Sequence, residues 1–131
     1  MLHEDLTKPI LAACFDVGNE LGHGFLESVY ERAAVITLRQ RELEVRVQVP
    51  LKVSFRGEAV GDFMADILVE GRILVALKAV KVLLPGHQAQ VIDYLKATGL
   101  PVGSLVSFGA PRVEYKRRYW EPGGKQDGQD G

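Results

Sequence analysis

Apolar residues near the start of the chain recur every three or four positions. Leu6, Ile10, Ala13, Cys14, Val17 and Leu21 fall on one side of a helix over residues 5–21. Gly22 and Gly24 break the pattern. It resumes from Phe25 to Arg41 with Leu26, Val29, Ala33 and Ile36 on one face, so "GHG" joins a helical hairpin. From Val45 the period changes to two. Val45, Val47, Val49, Leu51, Val53 and Phe55 alternate with polar residues, which predicts a half-buried strand with one wet face. "RGEA" around Gly57 turns into a second strand at 60–69, and "EGR" at Gly71 turns into a third that runs to about residue 80. An antiparallel meander is expected.

"LLPGH" is expected as a loop, followed by a helix at 87–98 that Gly99 and Pro101 terminate. "VGSLVSFG" is a short apolar strand, and "RVEYKRRYW", residues 112–120, is the last strand or an edge arm. The order is α-α-β-β-β-α-β-β. This predicts an α/β fold with a mixed central sheet flanked by helices. The helical crossover makes the strand at 102–108 parallel to the third. Residues 1–120 form a single domain. Residues 121–131 carry no side chain suited to a core and are expected to be a disordered tail.

A length of 131 residues, with 47% hydrophobic and 25% charged, suits one ordinary globular domain. The lone Cys14 excludes an internal disulfide and cysteine-built metal sites, and its apolar setting predicts an inert buried thiol. No signal peptide is expected, and no stretch approaches the ~18 continuous apolar residues of a membrane helix. A cytoplasmic protein without membrane contact is therefore expected. The formal net charge of −1 leaves nucleic-acid binding to a local basic patch. The candidate is the last strand, where Arg112, Lys116, Arg117 and Arg118 alternate with Tyr115, Tyr119 and Trp120. Such a pattern can hold phosphates and stack bases. It can equally be an edge strand guarded by charge, or a surface for a homodimer.

The third strand raises a chemical question. Lys78 sits in the apolar run "ILVALKAVK", on the same face as Ala76. Asp66 interrupts an apolar run on the preceding strand, and the turn at Gly71 can bring it alongside. A carboxylate and a lysine at neighbouring points of one sheet make a structural ion pair or a site. Metal-assisted phosphodiester cleavage uses such a pair, because carboxylates hold a hard cation and a lysine neutralises developing charge. That chemistry calls for a second carboxylate two residues before the lysine, where this chain has Ala76.

"GFLESVYE" resembles the signature of the GxxExxY family, with Gly24, Glu27 and Tyr30 in register. "VQVPLKVSFRGEAVGDFMADILVEG" is similar to that family's strand pair, with Gln48 and Asp66 at motif positions. "ILVALKAVK" resembles its core strand and "HQAQVIDYLKATG" its following helix. The resemblance covers most of residues 5–109. It implies the PD-(D/E)XK nuclease superfamily, a restriction-endonuclease-like core, and a metal-dependent hydrolase acting on nucleic acid. It also implies roles: Lys78 as catalytic lysine, Asp66 and Glu27 as ligands of Mg²⁺ or Mn²⁺, and Gln90 with Tyr94 as helix residues facing the site. Ala76 departs from the family's glutamate, so impaired catalysis is expected. The alternative is an inactive nuclease-fold domain that binds nucleic acid or a protein partner. Helical spacing places Glu27 with Tyr30 on one face, and His87, Gln90 and Tyr94 on another. These faces are expected to close over the Asp66–Lys78 pair, with Asp66 and Glu27 compensating a buried Lys78. His87 is expected as a helix-start residue rather than a metal ligand, and His3 and His23 have no assigned role.

Overall fold

Two helices open the chain, α1 (Glu4–Leu21) and α2 (Glu27–Gln40). They are followed by β1 (Val45–Phe55), β2 (Glu58–Val69), β3 (Ile73–Lys78), α3 (Pro85–Thr98), β4 (Val102–Ser107) and β5 (Glu114–Glu121). This is a computed structural model that describes residues 3–121 and 125–127. Within the expected tail, Lys125–Asp127 form a short strand, β6, antiparallel to Tyr119–Glu121 of β5. The remainder of that tail, 122–124 and 128–131, lies outside the described residues. No described helix is long and apolar enough to cross a membrane.

The sheet has the order β1-β2-β3-β4-β5-β6. Arg56 and Gly57, and again Glu70 and Gly71, have positive φ at both central positions of a turn. Turns of that hand match the natural twist of a hairpin, so β1, β2 and β3 form the expected meander, through a two-residue loop at Arg56–Gly57 and a three-residue loop at Glu70–Arg72. Through α3 the chain crosses over, and β4 runs parallel to β3 from Ile73↔Val102 to Lys78↔Ser107. The α/β fold with a mixed sheet flanked by helices is as the periodicity predicted. The position of β5 differs from expectation. It lies between β4 and β6 rather than at the sheet's margin, because Lys125–Asp127 pair with its last three residues, Tyr119–Glu121.

Alternation along β3 sends its side chains into two cores. Ile73, Val75 and Leu77 meet Leu6, Ile10, Val17, Ala34 and Leu38 under α1 and α2. Leu74 and Ala76 meet Val91, Ile92 and Leu95 under α3. Cys14 is wholly buried, and burial pushes its thiol pKa up to about 12, as an inert thiol requires.

Three local expectations are corrected. In α2 the buried stripe is Tyr30, Ala34 and Leu38, while Leu26 is 77% exposed and lies before the helix. The helix turns its aromatic residue inward because the ring's apolar area outweighs its one hydroxyl. In β1 the alternation does not bury a single face. Val45 joins the α1/α2 core, Val49 and Leu51 join the α3 core, and Val47 is 43% exposed. Gln48, at φ 50°, sits where the buried face changes. Finally, α3 begins inside the expected loop. Pro85 takes the first turn, where no amide donor is needed. His87 Nδ1 accepts the Leu84 N–H at 3.0 Å, so His87 is a helix-start residue as expected.

Candidate functional site

The ladder between β2 and β3 pairs Val69 with Ile73, Leu68 with Leu74 and Ile67 with Val75, then stops. β3 nevertheless continues to Lys78 beside β4, and β2 continues with β1 toward the hairpin tip. The two strands therefore fork. A fork leaves backbone donors of β3 without a strand partner, and each buried one must be satisfied. Asp66 does this for Leu77, whose N–H it accepts through Oδ2 at 2.9 Å. Burial raises the Asp66 pKa. The Leu77 hydrogen bond and the positive charge of Lys78 oppose that rise without cancelling it.

Lys78 ends β3 and is half-buried, on the side of the sheet that carries Leu74 and Ala76. Its carbonyl accepts the Phe108 N–H at 2.9 Å, which anchors the strand end. Asp66 and Lys78 thus stand on adjacent strands at the fork, as predicted. The expectation of a buried lysine is corrected, because the strand end opens to solvent. Among the described residues Lys78 forms no ion pair within 4 Å, with Asp66 or with Glu27.

Tyr94 reaches the same neighbourhood from α3. It is half-buried, its ring lies 5.7 Å from Phe63, and burial together with the charge of Asp66 raises its pKa. Gln90 lies one turn earlier on the helix, also half-buried, and shows no hydrogen bond to Lys78 or Asp66 among the described residues. Glu27 opens α2, half-buried, where a first-turn acid suits the helix dipole. Its link to Asp66 runs through a residue the sequence reading passed over, Glu31. Burial raises the Glu31 pKa most. A hydrogen bond from Gln48 Nε2, at 2.9 Å, opposes this, and the charges of Asp66 and Glu27 add to the rise. Gln48 lies between the pairs Val47↔Ile67 and Val49↔Ala65, across from Asp66. The signal for Glu31 was present: it lies four residues after Glu27, one helical turn along the same face.

Tyr30 does not close over the Asp66–Lys78 pair. It is wholly buried, stacked on Phe108 at 4.6 Å with the rings 1° from parallel. Its hydroxyl donates to Gly22 O at 2.7 Å and accepts the Phe25 N–H at 3.2 Å. The ring therefore locks the turn between α1 and α2. Of the basic residues proposed for nucleic acid, Arg112 is exposed and Lys116, Arg117 and Arg118 are half-buried on and before β5. Arg118 donates to the Arg117 carbonyl at 2.7 Å.

A family model described as the PD-(D/E)XK nuclease superfamily matches residues 4–118, nearly the whole described chain. The chain belongs to the PD-(D/E)XK nuclease superfamily. Searches of curated proteins and of solved structures gave no match. PD-(D/E)XK nucleases typically use divalent metals. The residues present do not fit one. Ala76, 7% exposed, puts a methyl group into the α3 core where the motif has a carboxylate. One oxygen of Asp66 is engaged by Leu77. Among the described residues no three His, Cys, Asp or Glu side chains are grouped to hold a metal ion. What remains is a half-open cation, Lys78, able to hold a phosphate oxygen, and a carboxylate whose raised pKa suits proton acceptance.

Proposed function

We propose that this chain is a GxxExxY-type protein of the PD-(D/E)XK superfamily that binds nucleic acid, and that its metal-dependent phosphodiester hydrolysis is impaired. The observation that carries the reading is Ala76. It lies on the face of β3 that Lys78 shares, beside the fork that Asp66 closes, so one methyl group replaces the second carboxylate of an otherwise retained motif. Mg²⁺ is held through one or two carboxylates together with waters and substrate phosphates, so losing one of two acids would weaken its hold. Lys78 would then meet the phosphate, and Gln90 and Tyr94 would flank it from α3. The catalytically inactive, nucleic-acid-binding alternative draws support from the engagement of Asp66 by a backbone amide.

The test compares the chain with its Ala76→Glu variant. Without metal the variant should melt lower, because a third acid joins Asp66 and Glu31 in a partly buried patch. Mn²⁺ should reverse that loss, since a cation bound only by the folded state stabilises it. Cleavage of a labelled oligonucleotide should appear in the glutamate form and be weak or missing in the parent. Identical responses of both chains to metal would sink the assignment of position 76 to a metal site.

A further inference from the structure

A groove of about 610 Å³ lies between the outer half of the β1–β2 hairpin and α3. Its volume falls in the range of small-ligand sites. The residues that give it character are Lys52 and Ser54 from β1, Gly61 and Phe63 from β2, and Asp93 and Lys96 from α3. Two cations face one carboxylate, so the groove is net positive in a chain whose formal net charge is −1. Among the described residues neither lysine is engaged in an ion pair. Lys52 stands opposite Asp62 in the strand register without bridging to it.

Phe63 is 39% exposed in the wall of this groove. Its ring touches Tyr94, the residue that senses the charge of Asp66, so the groove opens beside the fork. A Cβ at Gly61 would come within 3.6 Å of the Phe63 ring, and the missing side chain leaves that part of the ring uncovered. An accessible aromatic ring in a groove that also carries two cations is the arrangement by which single strands are held. Stacking needs only the π-face of a base, and lysines track the phosphates. A base inside a duplex is already stacked on its neighbours and cannot offer that face.

We propose that this groove receives one unpaired nucleotide of a single-stranded nucleic acid, its base stacked on Phe63 and its flanking phosphates on Lys52 and Lys96. The inference rests on the nucleic-acid reading above and names the form of the substrate and its seat. It assigns the groove a role that the basic β5 segment was expected to fill.

Binding of the full chain is measured in EDTA by fluorescence anisotropy, with a labelled oligothymidylate, an abasic oligomer of equal length, and a duplex. The parent should bind the oligothymidylate more tightly than the other two. Lys52→Gln with Lys96→Gln should weaken both single strands and flatten the salt dependence by about 0.7 in slope per lost contact. Phe63→Leu, which keeps an apolar contact with Tyr94, should remove about tenfold of the preference for bases over abasic sites, within the range of one stacking contact, and leave the salt slope alone. Gly61→Val should do the same by covering the ring, at a position with ordinary contact distances. Melting curves of the variants identify any that fail to fold. Parent-like binding by all folded variants would overturn the groove and leave the nucleic-acid reading standing. A parent that binds none of the three probes would overturn both, and would favour a protein partner.

Discussion

Two tyrosines on opposite sides of the sheet show how differently its faces are finished. Tyr30, under α1 and α2, is wholly buried, stacked on Phe108, and its hydroxyl both donates and accepts. Tyr94, under α3, is half-buried against Phe63 and is perturbed by the charge of Asp66. The first face satisfies every demand of its aromatic ring internally. The second leaves a phenol, a carboxylate and a lysine half-buried around the strand fork. Both tyrosines belong to motif segments, yet one serves the fold and the other borders the candidate chemistry. The difference follows from strand geometry. The β2–β3 ladder closes over Ile73–Val75 and forks beyond it, and Asp66 and Lys78 stand at that fork.

The largest effect expected from breaking this contrast is on the closed face. Tyr30→Ala should cost about 3–5 kcal/mol in urea denaturation, the range for deleting a buried aromatic ring. Tyr30→Phe should cost about 0.5–1.5 kcal/mol, the net worth of a hydrogen bond, because the exposed Gly22 and Phe25 can turn their freed carbonyl and amide to water. Binding to nucleic acid by the folded fraction should stay unchanged. A loss of binding without a loss of stability would move Tyr30 into the site.

On the open face, Asp66→Asn tests the desolvated charge. The folded pKa of Asp66 lies above its unfolded value of about 3.9. Protonation therefore favours the fold. That contribution is complete below the unfolded pKa and is lost as pH rises through the folded one. Asparagine keeps an acceptor for the Leu77 N–H and carries no charge to desolvate. The variant should match the parent near pH 3 and exceed it at pH 7, by less than about 1 kcal/mol once solvent screening is allowed for. Thermal melts at the two pH values check this, and a variant less stable at pH 7 would show the charged hydrogen bond to be the stronger effect.

The smallest change should come from Lys78→Met. The methionine keeps most of the stem, and the ammonium it removes is half-exposed, so stability should shift by less than about 1 kcal/mol. Nucleic-acid affinity should fall instead, if Lys78 holds a phosphate. A large loss of stability would restore the idea of a buried, compensated lysine and would blur the distinction between the two faces.

Most of the architecture was legible before folding was considered. Helical and strand periodicities are local, and so are the Arg-Gly and Glu-Gly turns, so the element order, the meander and the parallel crossover follow from the pattern alone. The departure at Ala76 was equally plain, because it needs only the neighbouring Lys78 and a motif to be seen. Periodicity could not tell which stripe of α2 turns inward, since Ile36 and Leu38 are equally apolar and only contact with β3 and Phe108 decides between them. It could not show the change of face at Gln48, which follows from one residue's positive φ. Nor could it show that Lys78 stands half in solvent. That depends on β2 leaving β3 after Ile67, a separation of two strands rather than a property of either, and the same fork explains why Asp66 bonds to a backbone amide. The sequence by itself determined which groups are available to the site, while the tertiary structure alone decided which are engaged, because exposure and hydrogen bonding are settled between chain segments far apart in sequence.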